Sequence, residues 1–185
     1  ESVWWAFSEL YKKGMIYEGF KSMHLCPRCE TTLSNFEVNQ GYKDITDISV
    51  YVKFELVDEP GTYLLAWTTT PWTLPSNMGI AVNPKLDYAY VDDNGFLYII
   101  VKDLADKYFD NPKIKKTIKG KELVGKRYEP LFDYFKDLES DGAFKIIGGD
   151  FVTTDEGTGI VHMAPAFGEV DYDACKENKI PFVKP

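Results

Sequence analysis

Apolar residues recur along this chain with two different periods. At the start Val3, Trp4, Phe7, Leu10 and Tyr11 fall at helical spacing, which predicts an amphipathic helix over Ser2 to Lys13, stopped by Gly14. After it the pattern turns to strands. Met15 to Phe20 reads as one, and from Val38 to Leu56 the alternation predicts a long half-buried strand, with Val50, Val52, Phe54 and Leu56 on one face. Pro60-Gly61 turns this strand into Tyr63–Trp67 as a hairpin. A second hairpin is read from Tyr88–Val91, an Asp93-Asn94-Gly95 turn and Phe96–Val101. Asp103 to Phe109 is expected to form a short helix, Pro112 to Ile118 and Ala143 to Ile147 strands, and Lys119 to Val124 a loop with a helical turn. Arg127 to Ala143 is aromatic but broken by Pro130, and no period is readable there. Many short strands at regular spacing predict a mainly β fold with short helices, closed as a β-barrel.

Two stretches depart from plain core strands. In Trp67–Val82, WTTTPWTLPSNMGIAV, the β-branched Thr68, Thr69 and Thr70 favour extended backbone, but Pro71 cannot donate a ladder hydrogen bond and Pro75 breaks the chain again. A buried strand therefore runs into a rigid, hydroxyl-lined turn and resumes at Met78–Val82. The second stretch, Gly157-Thr158-Gly159-Ile160-Val161-His162-Met163-Ala164-Pro165, repeats that logic: glycines, an apolar β-branched strand, then a proline. Glycine within a strand often marks close approach of a backbone or a ligand. A helix is expected to follow, with Asp171 near its start. Taken singly, Asp171 reads as a helix cap and His162 as a hydrogen-bonded structural histidine. If the two strands pair, their proline-stopped ends bring Thr68–Thr70, Trp72, His162 and Asp171 into one pocket.

Composition narrows the chemistry. An apolar content of 44% with 15% aromatics over 185 residues is that of a globular chain with a real core. No apolar run approaches the roughly 20 residues that span a bilayer, and no secretory signal opens the chain. A net charge of −8 argues against coating nucleic acid by phosphate neutralisation, but not against gripping a short single-stranded end. Three cysteines make no disulfide framework and fit a reducing cytoplasm. Cys26-Pro27-Arg28-Cys29 is half of a zinc ribbon or knuckle. A tetrahedral site needs four ligands, so a structural or vestigial turn competes with a zinc site there. No Ser-His-Asp or Cys-His arrangement is present, since His24 and His162 are the only histidines. The chain starts at Glu1 inside a helical pattern, as expected of a piece of a longer protein.

WTTTPWTLPSNMGIAV followed by GTGIVHMAPAFGEVDYD resembles the editing domain, the first connective-peptide insertion, of isoleucyl-tRNA synthetases of the eukaryote-like type. KGMIYEGF…CPRCETTLSNFEV resembles the segment joining that family's catalytic fold to the insertion, so the likeness covers essentially the whole chain. It implies a connecting segment over residues 1–37 and a β-barrel editing domain over 38–185, acting in the cytoplasm. The implied activity is hydrolysis of valine wrongly esterified to the isoleucine-specific tRNA, without a cofactor. Its implied partners are the CCA end of that tRNA and the remainder of the synthetase. The implied alternatives are a valyl- or leucyl-type editing domain, or a non-catalytic module docking a single-stranded 3′ end.

By the same resemblance Asp171 binds the α-ammonium, and His162 lines the side-chain pocket and rejects isoleucine. Thr68, Thr69 and Thr70 hold the ester, the terminal adenosine and the attacking water, and Trp72, Gly157 and Gly159 bound the substrate. Val170 stands where relatives often carry a second acid, and Phe167 where many bacterial relatives carry histidine. The His-Ile-Gly-His and Lys-Met-Ser-Lys-Ser signatures are missing, so this stretch is not expected to charge tRNA by itself.

Overall fold

A computed structural model describes residues 1–184. It divides into two compact units, Glu1–Tyr42 and the chain from Lys43 onward.

In the first unit α1 (Ser2–Lys12) forms as its periodicity predicts and ends before Gly14, but none of its residues is buried. The strand expected at Met15 to Phe20 does not form, because no neighbouring strand offers those residues a ladder. Next, β1 (Leu25–Cys26) and β2 (Thr31–Thr32) make a two-residue antiparallel ladder that holds the Cys-Pro-Arg-Cys turn. Ser34 then caps α2 (Asn35–Asn39): its hydroxyl accepts the Glu37 N–H while the Glu37 carboxylate accepts the Ser34 N–H. That reciprocal cap commits Val38 to a helix, whatever the alternation of the residues around it. The long strand expected from Val38 accordingly shortens to β3 (Val50–Glu55).

In the second unit β3 pairs antiparallel with β4 (Thr62–Thr68) through the Pro60-Gly61 turn. After a 3₁₀ turn, Pro71–Ser76, the chain continues as β5 (Gly79–Val82). The hairpin of β6 (Asp87–Asp93) and β7 (Phe96–Val101) leads through α3 (Ala105–Tyr108) to β8 (Lys113–Lys119). The unreadable stretch contains a kinked 3₁₀ segment, Asp133–Asp141, before β9 (Lys145–Gly148). Finally come β10 (Ile160–Met163) and α4 (Glu169–Glu177).

Among the described residues of the second unit the strands form two mixed sheets, β3-β4-β7-β6-β8 and β10-β5-β9, and neither closes. The fold is thus mainly β with short helices, but the expected closed barrel is replaced by two open sheets. Pro71 and Pro75 are the reason. They end β4 and deliver β5 to the second sheet, where it pairs parallel with β9 and antiparallel with β10. One core joins the sheets, with Phe54, Leu64, Ile80, Ile99 and Ile146 all but fully buried. Each such side chain contributes about 1.5–3 kcal/mol. Leu65, Ala89, Val91, Ile100 and Ala105 form a second cluster, so the middle of the larger sheet is buried on both faces. The exposed edge strand β8 is lysine-rich, which discourages edge-to-edge pairing.

Candidate functional site

The hydroxyl wall begins where β4 ends. Thr68 is the last strand residue and is buried; its Oγ1 accepts the Thr70 N–H at 3.1 Å and lies 3.3 Å from Thr70 Oγ1. Pro71 then opens the 3₁₀ turn, a position where its missing N–H leaves nothing unpaired. One turn on, the buried Thr73 hydroxyl donates to the Thr70 carbonyl at 2.9 Å. The triplet thereby becomes a locked bend rather than a continued strand.

Facing it, β10 is placed by its glycines. Gly159 has φ +73, accepts at its carbonyl from the Tyr88 hydroxyl at 2.7 Å, and leaves no room for a Cβ, which would collide with Val101. Gly157, at φ +70, accepts from Tyr108 Oη at 2.7 Å, and a Cβ there would meet Trp67 at 3.0 Å. The register that results sets His162 opposite Ile80 of β5.

His162 is 8% exposed, and its Nε2 lies 2.9 Å from Thr73 Oγ1. The single Thr73 hydroxyl hydrogen thus lies between two neighbours at the same distance, the Thr70 carbonyl and His162 Nε2. Nδ1 is buried and has no partner. Burial penalises the imidazolium and brings the His162 pKa down to about 4, so the ring is neutral at pH 7.

Asp171 sits in the first turn of α4, whose N-cap is Gly168. Its Oδ2 accepts the Ala164 N–H at 2.8 Å, which folds the helix start back onto the end of β10. A Cβ on Gly168 would press on the Asp171 carboxyl at 3.3 Å. Burial raises the Asp171 pKa above the usual carboxylate value, and the Ala164 bond opposes that rise only in part.

These groups enclose a cavity of about 350 Å³ lined by Thr68, Thr70, Trp72, Thr73, His162 and Asp171, with Trp67 and Phe167 also on its wall. Five of the residues singled out in the sequence therefore meet: Thr68, Thr70, Trp72, His162 and Asp171. Thr69 is exposed and outside the lining. Gly157 and Gly159 are outside it too, behind the strand they position. Thr73 went unremarked in the sequence, although a threonine three residues after Thr70 and two after a helix-opening proline is spaced to bond back to the Thr70 carbonyl. The wall offers a carboxylate to a cation, hydroxyls to an ester or a water, and a neutral ring to a side chain.

A second hollow, of about 420 Å³, lies beside Asp92, Asp93 and Asp110 and shares no residue with this one. Among the described residues no three His, Cys, Asp or Glu side chains converge on a metal position. Cys26 and Cys29 supply two thiols; backbone N–H groups of Cys29 and Arg28 hold the Cys26 thiol below its ordinary pKa. No helix among the described residues is long and apolar enough to cross a membrane.

The sequence matches the family described as tRNA synthetases class I (I, L, M and V) over residues 1–165. It is 50% identical to an isoleucine–tRNA ligase of Chlamydia trachomatis serovar L2, across all of this chain and 18% of that protein. It is 46% identical to a probable cytoplasmic isoleucine–tRNA ligase of Dictyostelium discoideum, across 97% of this chain and 17% of that one. The chain thus spans less than a fifth of the length of these relatives. In fold it is similar to the crystal structure of the P. knowlesi cytosolic leucyl-tRNA synthetase editing domain. There the TM-score is 0.55 at 18% identity, over 70% of this chain and 60% of that one.

Proposed function

This chain belongs to the class I tRNA synthetases of the isoleucine, leucine, methionine and valine group, and we propose that it is the editing domain of an isoleucyl enzyme, hydrolysing valine misattached to the isoleucine-specific tRNA. The observation that carries this reading is the meeting of Thr68, Thr70, His162 and Asp171 around one cavity of about 350 Å³. The identities of about 50% to isoleucine–tRNA ligases favour the isoleucyl over the leucyl reading, for which the likeness is one of fold alone.

The need for such a site is physical. A synthetic pocket shaped for isoleucine rejects valine weakly, because a missing methylene is worth only ~1–3 kcal/mol, a figure drawn from this very group of enzymes. A second pocket that admits the smaller side chain and excludes the larger restores accuracy. Asp171 is suited to the α-ammonium. One oxygen is occupied by Ala164, and a cation at the other would form a charge-assisted hydrogen bond and offset the penalty of burying the carboxylate. Thr68 and Thr70 orient the ester and the attacking water, and Trp72 bounds the site on its exposed side. His162 serves as a neutral wall rather than as a base, since its Nε2 is engaged with Thr73 Oγ1 and its Nδ1 is buried. Attack by an oriented water against fixed dipoles follows.

The remaining partners in this reading are the CCA end and the rest of the synthetase chain, in the cytoplasm. Residues 38–185 would form the editing part and 1–37 its connection. The test uses the full-length synthetase with valyl- and isoleucyl-esters of its tRNA, following release of the amino acid. Rapid loss of the valyl ester with the isoleucyl ester spared is expected, and a stable valyl ester overturns the proposal.

A further inference from the structure

We propose that Tyr108 is a positioning residue for this cavity: its hydroxyl holds the Gly157 carbonyl, and through that loop it fixes the Trp67 indole that forms part of the wall. The consequence for hydrolysis rests on the editing reading above. The consequence for Trp67 does not.

Trp67 is the penultimate residue of β4, and it lines the cavity while Tyr108 does not. Two neighbours confine it. Across the β3–β4 ladder its direct partner is Tyr51, and opposite residues of an antiparallel pair stand about 4.5–5.5 Å apart at Cβ. Behind it runs the loop that opens β10, where Gly157 approaches so closely that a Cβ would lie 3.0 Å from the indole Cε3. Glycine at φ +70 is one of many conformations open to it, so the loop needs a hold from outside. Tyr108 supplies that hold. From α3, 49 positions away in sequence, its Oη donates to the Gly157 carbonyl at 2.7 Å, and its ring packs edge to face on Tyr51 with centroids 5.5 Å apart. One side chain thus ties together both neighbours of Trp67. Deleting the hydroxyl frees the loop, and the half-buried indole gains room to move. A wall that moves admits a bound ester in several poses, and misplacing a reacting group slows the chemical step more than it weakens binding.

Tyr108→Phe deletes the hydroxyl and keeps the ring on Tyr51. Tyr98→Phe is the control, because Tyr98 stands beside Tyr63 in the same sheet and its hydroxyl accepts from Lys53 at 2.7 Å instead of serving the Gly157 loop. Fluorotryptophan labelling of this chain reports on Trp4, Trp5, Trp67 and Trp72, and Trp67→Phe assigns the signal of interest. The Trp67 fluorine signal is expected to shift or broaden in Tyr108→Phe and to stay in place in Tyr98→Phe. In the full-length enzyme Tyr108→Phe should lower kcat for valyl-ester hydrolysis by about 10-fold with KM changed by less than about twofold, and Tyr98→Phe should leave both unchanged. A Trp67 signal unaltered in Tyr108→Phe, or altered equally in Tyr98→Phe, overturns the positioning role. An altered signal with unaltered kcat, or a change confined to KM, overturns the role in hydrolysis. A stable valyl ester in the unsubstituted enzyme overturns the editing reading, and the role in hydrolysis with it, whereas the fluorine spectrum still decides what Tyr108 does to Trp67.

Discussion

Two titratable side chains face the same cavity from different walls, and burial acts on them in opposite ways. On the β10 wall, His162 is neutralised by burial: with its pKa brought down to about 4, the form that the protein tolerates is also the form present at pH 7. At the start of α4, Asp171 is raised by burial, so its charged form is held against a penalty that the single Ala164 N–H only partly relieves. A neutral ring can serve as a wall and a partly satisfied carboxylate as a receptor for a cation. In the proposed function the neutral ring is the wall that measures a side chain and the carboxylate the one that binds a cation.

The largest effect that would test this contrast is expected from Asp171→Asn. Loss of the charge should reduce valyl-ester hydrolysis on the order of 100-fold, about 3 kcal/mol. Because the folded-state pKa of Asp171 is raised, ionisation lowers stability as pH rises from 3.8 through that raised value. The substitution should therefore leave the melting temperature unchanged or higher. A lowered melting temperature with intact hydrolysis would make Asp171 a cap and nothing more. His162 has the opposite sign. Its pKa is depressed from 6.5 to about 4, so the unfolded chain takes up a proton that the folded chain refuses. Stability should fall as pH drops through that window, by up to about 3 kcal/mol, and His162→Gln should abolish this portion of the slope in denaturant titrations at pH 7 and 4.5.

Discrimination is the next quantity. His162→Ala should open the wall and let the isoleucyl ester be cut, shifting the preference by roughly 1–3 kcal/mol in paired deacylation assays; an isoleucyl ester still spared would assign the size limit elsewhere. The smallest effect is expected at Thr69, exposed and outside the lining. Thr69→Ala should change stability by less than about 0.5 kcal/mol and hydrolysis by less than about twofold. A large loss there would bring its hydroxyl into the chemistry after all.

Much of this was legible in the chain itself. Pro71 and Pro75 announce the end of β4 and the bend after it, Asn94-Gly95 announces the β6–β7 hairpin, and the period of α1 announces its helix. Where the reading failed, a different interaction won. The Ser34–Glu37 cap outcompeted the strand expected at Val38, and the strand at Met15 to Phe20 had an apolar pattern but no partner. The barrel failed for a related reason. Spacing predicts how many strands there are, not whether the last one returns to the first.

What the sequence alone determined, then, is the set of elements, the two proline-stopped motifs and the residue types that carry chemistry, because proline, glycine and β-branched side chains act on their own backbone. What the tertiary structure decided is which of those residues meet and in what state. The pairing of β10 with β5, the bond from Thr73 to His162, and the exclusion of Thr69, Gly157 and Gly159 from the lining all depend on register between distant strands. So do the neutral ring of His162 and the strained charge of Asp171, since desolvation is a property of the surroundings and no residue encodes its own burial.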